Sequence, residues 1–202
     1  MSKKKEIGFS NLTKIKPVTD NQELVFESWK KNKNQFLFGC AGTGKTFISL
    51  YLALQDVLKN ETPQDKVVVV RSLIPTREIG FLPGDIKDKM DPWMSPIADN
   101  FRHAFKDLSY FDLMVEKGEI EVAPMSFIRG RTFSNAFLIV DESQNSTIHE
   151  LKTVITRMGE GSKIVLLGDV EQIDTPYIDT LSNGLTIVIE KFKNSEIASH
   201  IT

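Results

Sequence analysis

Residues 39–46 of this chain are Gly39-Cys40-Ala41-Gly42-Thr43-Gly44-Lys45-Thr46, which has the spacing G-x-x-x-x-G-K-[ST]. An apolar stretch at residues 35–38 precedes this segment, and a helical pattern at residues 47–54 follows it. Glycines let the backbone curl around a polyphosphate, so that N–H groups and the positive end of the helix point at the anion. We predict that these eight residues bind a nucleoside triphosphate, with Lys45 on its β and γ phosphates and the Thr46 hydroxyl on Mg²⁺.

Two adjacent acids follow a second apolar run. Asp141 and Glu142 come directly after residues 137–140, which the pattern predicts to be a buried strand. Ligands of parallel sheets bind at the carboxyl ends of strands, so we expect both acids at the triphosphate. We predict that Asp141 holds Mg²⁺ beside Thr46 and that Glu142 orients and deprotonates the attacking water.

Two glutamines complete the predicted site. Gln172 follows a predicted strand at residues 164–167, where its amide can hydrogen-bond the γ-phosphate or the lytic water. Asp169 competes for that role but is interpreted as a turn residue. Gln22 lies at the start of a predicted helix, and its amide matches the N6 and N7 edge of adenine, which favours ATP over GTP. A surface role for Gln22 stays open.

The order of strand and helix patterns predicts an α/β fold of three layers with a mainly parallel sheet. Strands are predicted at residues 66–70, 120–122, 137–140, 164–167 and 186–189, the last followed by a polar tail, and helices at 19–32, 97–108, 111–117 and 147–158. A Pro- and Gly-rich excursion occupies residues 72–96. We predict a flexible basic lead-in at residues 1–18 and a single domain at residues 19–202.

Composition narrows the class of protein. The 202 residues are 41% hydrophobic and 26% charged, with a net charge of −2, which is typical of a soluble globular protein. Cys40 is the sole cysteine, and the sequence shows neither an apolar run near the ~20 residues of a membrane span nor a signal core. We therefore expect a cytoplasmic protein without membrane contact. Eight lysines against four acids in residues 1–34 form a basic arm, either a solvated terminus or a contact for nucleic-acid phosphates.

Several segments, in order from about residue 17 to 185, are similar to the PhoH-like ATPase family, whose domain resembles the first motor domain of superfamily-one helicases. Besides residues 39–46, the matching stretches are Asn21-Gln22, Val70-Arg71, Gly80-Phe81-Leu82-Pro83-Gly84-Asp85, Asp91-Pro92-Trp93, Ile128-Arg129-Gly130-Arg131-Thr132, Asp141-Glu142-Ser143-Gln144-Asn145 and Gly168-Asp169-Val170-Glu171-Gln172-Ile173-Asp174. The resemblance implies a RecA-like P-loop NTPase fold, ATP hydrolysis, and a role in RNA or DNA metabolism. Ser199 departs from it, because many relatives carry arginine there.

A helicase motor clamps ATP between two such domains, and this chain has room for one. We therefore predict a homo-oligomer, with a hexameric ring favoured, that holds ATP at subunit interfaces and acts on RNA or single-stranded DNA. Arg129, Arg131 and Arg71 are the candidates for an arginine finger or a nucleic-acid contact. Two alternatives stay open, namely a P-loop kinase of a small molecule and a nucleotide-dependent binding switch with slow turnover. Glu142 argues against the kinase, which needs no water-activating base.

Overall fold

The computed structural model describes residues 7–72 and 95–202, apart from residues 102, 106, 108 and 176. The strands are β1 (Asn34–Phe38), β2 (Lys66–Arg71), β3 (Ile120–Pro124), β4 (Ala136–Asp141), β5 (Lys163–Gly168) and β6 (Ala198–Ile201). The helices are α1 (Asp20–Lys30), α2 (Lys45–Lys59), α3 (Ser109–Glu116), α4 (Ile148–Ile155) and α5 (Gly184–Phe192), and residues 95–101 and 103–104 are also helical. The matched segments 80–85 and 91–93 lie outside the described residues, as does most of the predicted excursion.

These strands form one parallel sheet in the order β3-β2-β4-β5-β1-β6. β5 lies between β1, which leads into residues 39–46, called the phosphate loop below, and β4, which ends at Asp141. Parallel pairing places the carboxyl ends of β1, β4 and β5 at one edge of the sheet. The predicted α/β fold with three layers and a parallel sheet is confirmed.

The core has two halves because side chains of a strand alternate between its faces. On β2, Val67 and Val69 pack with α1 and α2, whereas Val68 and Val70 pack with α4 and α5. All four valines are at most 1% exposed. A strand buried on both faces is what a continuous β-branched run predicts, so β2 confirms that interpretation.

The C-terminal elements differ from the prediction. Residues 186–189, predicted as a strand, lie inside α5. The Asn183 side chain is fully buried and accepts a hydrogen bond from the Thr186 N–H, which caps this helix and outweighs the strand preference of its β-branched residues. The predicted polar tail instead contains β6, which pairs with β1.

The start of the chain packs on the domain from residue 7 onward. Leu12 is 7% exposed and forms an isolated bridge with Phe105, and the Thr13 N–H donates to the Ala104 carbonyl at 2.8 Å. Phe9 and Ile15 are half-buried against the same core. Much of the predicted lead-in is therefore part of the domain surface, and the boundary at residue 19 stays a prediction.

A largely buried cluster of Trp29, Asp56 and Lys163 joins α1, α2 and β5. The Trp29 indole donates to the Asp56 carboxylate at 2.8 Å, and the Lys163 ammonium lies 4.3 Å from the Trp29 ring centre. Lys163 is 3% exposed. Burial lowers the pKa of Lys163 to about 8 from its ordinary value of 10.5, although the nearby Asp56 carboxylate opposes this shift.

The cluster predicts a pH dependence of stability. Between pH 8 and 10.5 the unfolded chain holds the Lys163 proton and the folded chain has released it, so a rising pH favours the folded state. The free energy of unfolding of the wild type, minus that of Lys163→Met, should rise across this window by at most ~3 kcal/mol. Urea unfolding at several pH values measures this difference. A difference that stays flat would contradict the assignment, and Lys117→Met, which changes an exposed lysine, is the control.

Candidate nucleotide-binding site

The phosphate loop is shaped by its glycines and by the neighbouring strand. The Gly39 N–H donates to the Gly168 carbonyl at 3.2 Å, which fixes the start of the loop against the end of β5. Gly42 and Gly44 have φ values of 75° and 86°, a left-handed region that favours glycine. Gly44 is the N-cap of α2, so the first N–H groups of this long helix lie at the loop. The local geometry is that of an anion-binding helix N-terminus.

The Lys45 side chain folds over this loop. Its ammonium donates to the carbonyl oxygens of Gly39 and Cys40 at 2.6 and 2.7 Å, and lies 3.5 Å from the Thr43 hydroxyl. These bonds hold the ammonium against the backbone of the loop. Cys40 is exposed and contributes its backbone to this arrangement.

The two acids meet the loop as predicted from their positions at the end of a strand. The Thr46 hydroxyl donates to Asp141 Oδ1 at 3.1 Å, so the two predicted Mg²⁺ ligands lie side by side. Asp141 is 7% exposed, and burial raises its pKa, against the opposing effect of the Arg71 guanidinium. Glu142 adopts the left-handed region at φ 54°, which is strained for a residue with a side chain.

A cavity of about 350 Å³ brings most of the predicted residues together. Its lining comprises Ala41, Gly42, Gly44, Lys45, Thr46, Asp141, Glu142 and Gln172, together with Phe47, Asn100, Gly168 and Asp169. Asp169 also accepts a hydrogen bond from the Glu171 N–H at 3.0 Å, as expected of a turn residue. The cavity therefore combines anion-binding groups with three carboxylates, those of Asp141, Glu142 and Asp169.

Sequence reasoning gave no role to Gln144, which links the parts of the site. Its amide nitrogen donates to Glu142 Oε2 at 2.7 Å and to the Gln172 carbonyl at 2.9 Å, and its amide oxygen accepts from the Asp169 N–H at 3.1 Å. Gln144 is fully buried. The buried amide thus fixes Glu142 relative to the loop that carries Gln172. In the sequence, the signal that could have indicated this role was a polar residue two positions after Glu142.

Asn145 makes a second link that the sequence did not reveal. Its side-chain oxygen accepts from the N–H groups of Asp174 and Thr175 at 2.8 and 3.2 Å. Its carbonyl accepts from the Ser72 hydroxyl at 3.3 Å. The end of β2 and the segment after Gln172 are therefore joined through the turn that follows β4.

Gln22 lies at a second cavity, of about 660 Å³, which is lined in part by residues of the phosphate loop. Its amide nitrogen donates to the Thr43 carbonyl at 3.3 Å, and its oxygen accepts from the Val18 N–H at 2.9 Å. Leu37, Ile48 and Ile201 give this cavity an apolar lining suited to a nucleobase. The predicted contact of Gln22 with adenine stays a prediction.

The three arginines lie in different places. The Arg131 guanidinium donates to both carboxylate oxygens of Glu121, at 2.5 and 2.8 Å, and covers the ring of Phe133. Arg129 is exposed, and neither of these two residues lines the 350 Å³ cavity. Arg71, in contrast, contacts Asp141 and Glu142. The expectation of a finger or a nucleic-acid contact stays a prediction for all three, and Arg131 already has a partner in its own chain.

The donor set beside the loop fits Mg²⁺. A hydroxyl and a carboxylate are the hard oxygen ligands that this ion takes, usually with waters and phosphate oxygens completing the octahedron. The adjacent positions of Thr46 Oγ1 and Asp141 Oδ1 satisfy this requirement. Within residues 7–72 and the described part of 95–202, groups of three or more His, Cys, Asp or Glu side chains suited to a metal are absent.

In the same part of the chain, each helix is too short or too polar to cross a bilayer.

The fold and this site define an α/β domain of the P-loop NTPase class. The sequence profile described as "PhoH-like protein" matches residues 14–202, and the chain belongs to this family. It is 45% identical to protein PhoH2 of Bacillus subtilis (strain 168) over 82% of this chain and 38% of that protein. It is 43% identical to a PhoH-like protein of Synechocystis sp. over 90% of this chain and 54% of that one. The chain therefore spans about half or less of the length of these relatives.

Solved structures show a weaker likeness. The Sulfolobus solfataricus SWI2/SNF2 ATPase core in complex with dsDNA gives a TM-score of 0.48 at 16% sequence identity, over 94% of this chain and 45% of that chain.

Proposed function

We propose that this chain is a Mg²⁺-dependent ATPase that works as a motor or remodeller on RNA or single-stranded nucleic acid in the cytoplasm. One observation carries the ATPase assignment. Lys45 and Thr46 of the phosphate loop meet Asp141, Glu142 and Gln172 around a single cavity. This combination supplies phosphate binding, a site for the metal, and a base for the attacking water.

The residues divide the chemistry among them. The loop N–H groups and Lys45 hold the phosphates and stabilise the charge that develops during transfer. Glu142 accepts the proton of the attacking water, and Gln144 fixes the orientation of its carboxylate. Gln172 hydrogen-bonds the γ-phosphate or the water. Mg²⁺, when bound at Thr46 and Asp141, neutralises charge on the β and γ phosphate oxygens.

The proposal of a ring rests on the small number of cations that line the 350 Å³ cavity. Arg129 and Arg131 lie outside the cavity, and Arg71 faces carboxylates, so the described residues leave Lys45 as the cation that lines the phosphate site. An arginine from a neighbouring subunit would complete it, and such a finger is worth ~10³–10⁵ in turnover. A closed ring, with a hexamer favoured, repeats this contact at each subunit.

Two other functions remain as competitors. A P-loop kinase would transfer the phosphate to a small molecule, and a slow nucleotide-dependent switch would bind a partner with little turnover. The position of Glu142 beside Asp141, with its carboxylate held by Gln144, favours hydrolysis by water. Phosphate release without an added acceptor separates hydrolysis from the kinase.

We expect the rate of phosphate release per subunit to rise with protein concentration as the ring assembles, and to rise further with single-stranded RNA. The RNA effect should weaken at high salt, because binding through phosphates releases counterions. A phosphate-release assay, run beside a native mass measurement with and without a non-hydrolysable ATP analogue, tests both effects. Negligible turnover in assembled material would favour the switch, and a constant rate per subunit in a monomeric protein would contradict the ring.

A further inference from the structure

Arg71 lies beside the two acids of the candidate site, and its side chain does not reach outward as a finger for a neighbouring subunit would. It ends β2, and strand pairing sets it directly beside Asp141, the last residue of β4. Its side chain is 18% exposed. The guanidinium Nε lies 3.4 Å from Asp141 Oδ2, and Nη2 lies 3.8 Å from Glu142 Oε1. Because Nε and Nη2 belong to one edge of the planar group, a single edge spans both acids.

The other oxygen of each acid already has a partner. Asp141 Oδ1 accepts from the Thr46 hydroxyl, and Glu142 Oε2 accepts from the Gln144 amide. Arg71 therefore faces Oδ2 of the predicted metal ligand and Oε1 of the predicted base. Each carboxylate is held between two groups, with Arg71 common to both.

Charge explains why this place needs a cation. Two neighbouring carboxylates repel each other, and the burial of Asp141 strengthens this repulsion because less water screens it. Arg71 is the cation that forms ion pairs with Asp141 and Glu142 among the described residues. Among the described residues, the buried Arg71 Nε has no hydrogen-bond partner. Its attraction to Asp141 is therefore an ion pair without a hydrogen bond. Removing one partner of such a group leaves the remaining charge uncompensated.

We infer that Arg71 is a positioning residue for hydrolysis, which fixes the carboxylates of Asp141 and Glu142 relative to each other. The inference rests on the proposed ATPase function, and it gives Arg71 a role other than the predicted finger or nucleic-acid contact. Lysine can supply the charge but not the flat edge that spans two acids. The role therefore requires both the charge and the shape of arginine.

Three variants test this role through steady-state phosphate release. Arg71→Gln should lower kcat by about 10- to 100-fold, as is typical when a partner of a metal ligand is removed, while KM for ATP stays within about threefold. Arg71→Lys should recover part of the lost kcat. Lys193→Gln removes an exposed cation paired with Glu190 on α5, so it should match the wild type. A melting curve by circular dichroism checks that each variant is folded.

A second comparison separates positioning from a general structural effect. In a Glu142→Gln background, Arg71→Gln should lower kcat little further, because both changes act on the same step. Equal kcat in Arg71→Gln and the wild type would overturn the inference and leave the ATPase assignment intact. A parallel loss of ATP binding, or additive losses in the double variant, would also overturn it. A wild type that releases no phosphate would refute the proposed function, and the inference with it.

Discussion

Glu142→Gln should lower kcat for ATP hydrolysis by about 10²–10⁴, the usual contribution of a positioned general base. The substitution removes the proton acceptor but keeps the shape of the side chain. Its amide oxygen can still accept the 2.7 Å hydrogen bond that Gln144 donates to Glu142 Oε2. The turn after β4 should therefore keep its geometry, and the loss should fall on the chemical step. Steady-state phosphate release measures kcat, and titration with a fluorescent ATP analogue measures binding.

The Glu142→Gln prediction has a control variant and an outcome that would contradict it. Glu190→Gln changes an exposed carboxylate on α5, which pairs with Lys193, to an amide and should leave kcat unchanged. Binding of the ATP analogue to Glu142→Gln should stay within about threefold of the wild type, because the loop that holds the phosphates is unaltered. Hydrolysis at the wild-type rate would show that another group activates the water, and Glu142 would lose its assigned role.

The parts of the site that sequence predicted are those in which the chemistry constrains a short segment. Residues 39–46 carry glycines where the backbone takes left-handed φ values, followed by a lysine and a hydroxyl at the start of a helix. Asp141 ends a fully buried strand and Glu142 follows it, so a parallel sheet had to place them at its carboxyl edge. Local pattern and general topology suffice for such residues.

The parts that sequence did not predict depend on contacts between distant segments. Arg71 faces Asp141 because β2 pairs with β4 in one register, and no local pattern states that register. Gln144 joins two loops that meet only after β4 and β5 pair. The β-branched residues of α5 favour a strand locally. The buried Asn183 side chain stabilises a helix instead, because it accepts from the Thr186 N–H and donates to the Asp179 carbonyl of the preceding loop.

Lys45→Met should lower kcat/KM for ATP by about 10²–10³, as expected when one donor to the transferring phosphoryl group is lost. Methionine keeps most of the apolar stem of lysine and a good helix preference, so α2 should still begin at this position. The ammonium makes short hydrogen bonds to the Gly39 and Cys40 carbonyls and is the cation that lines the phosphate cavity among the described residues. In the variant those carbonyls face the phosphates without an intervening positive charge. Steady-state phosphate release gives kcat/KM.

Lys59→Met is the matched control for this loss, because it removes a lysine from the other end of α2. That lysine lies 4.8 Å from the centre of the Phe9 ring and away from the loop. If Lys59→Met equals the wild type while Lys45→Met loses both binding and turnover, the charge at the loop is what α2 supplies to the reaction. If Lys45→Met hydrolyses ATP normally, the positive end of the helix and the loop N–H groups bind the triphosphate alone, and a lysine is not required at the cavity.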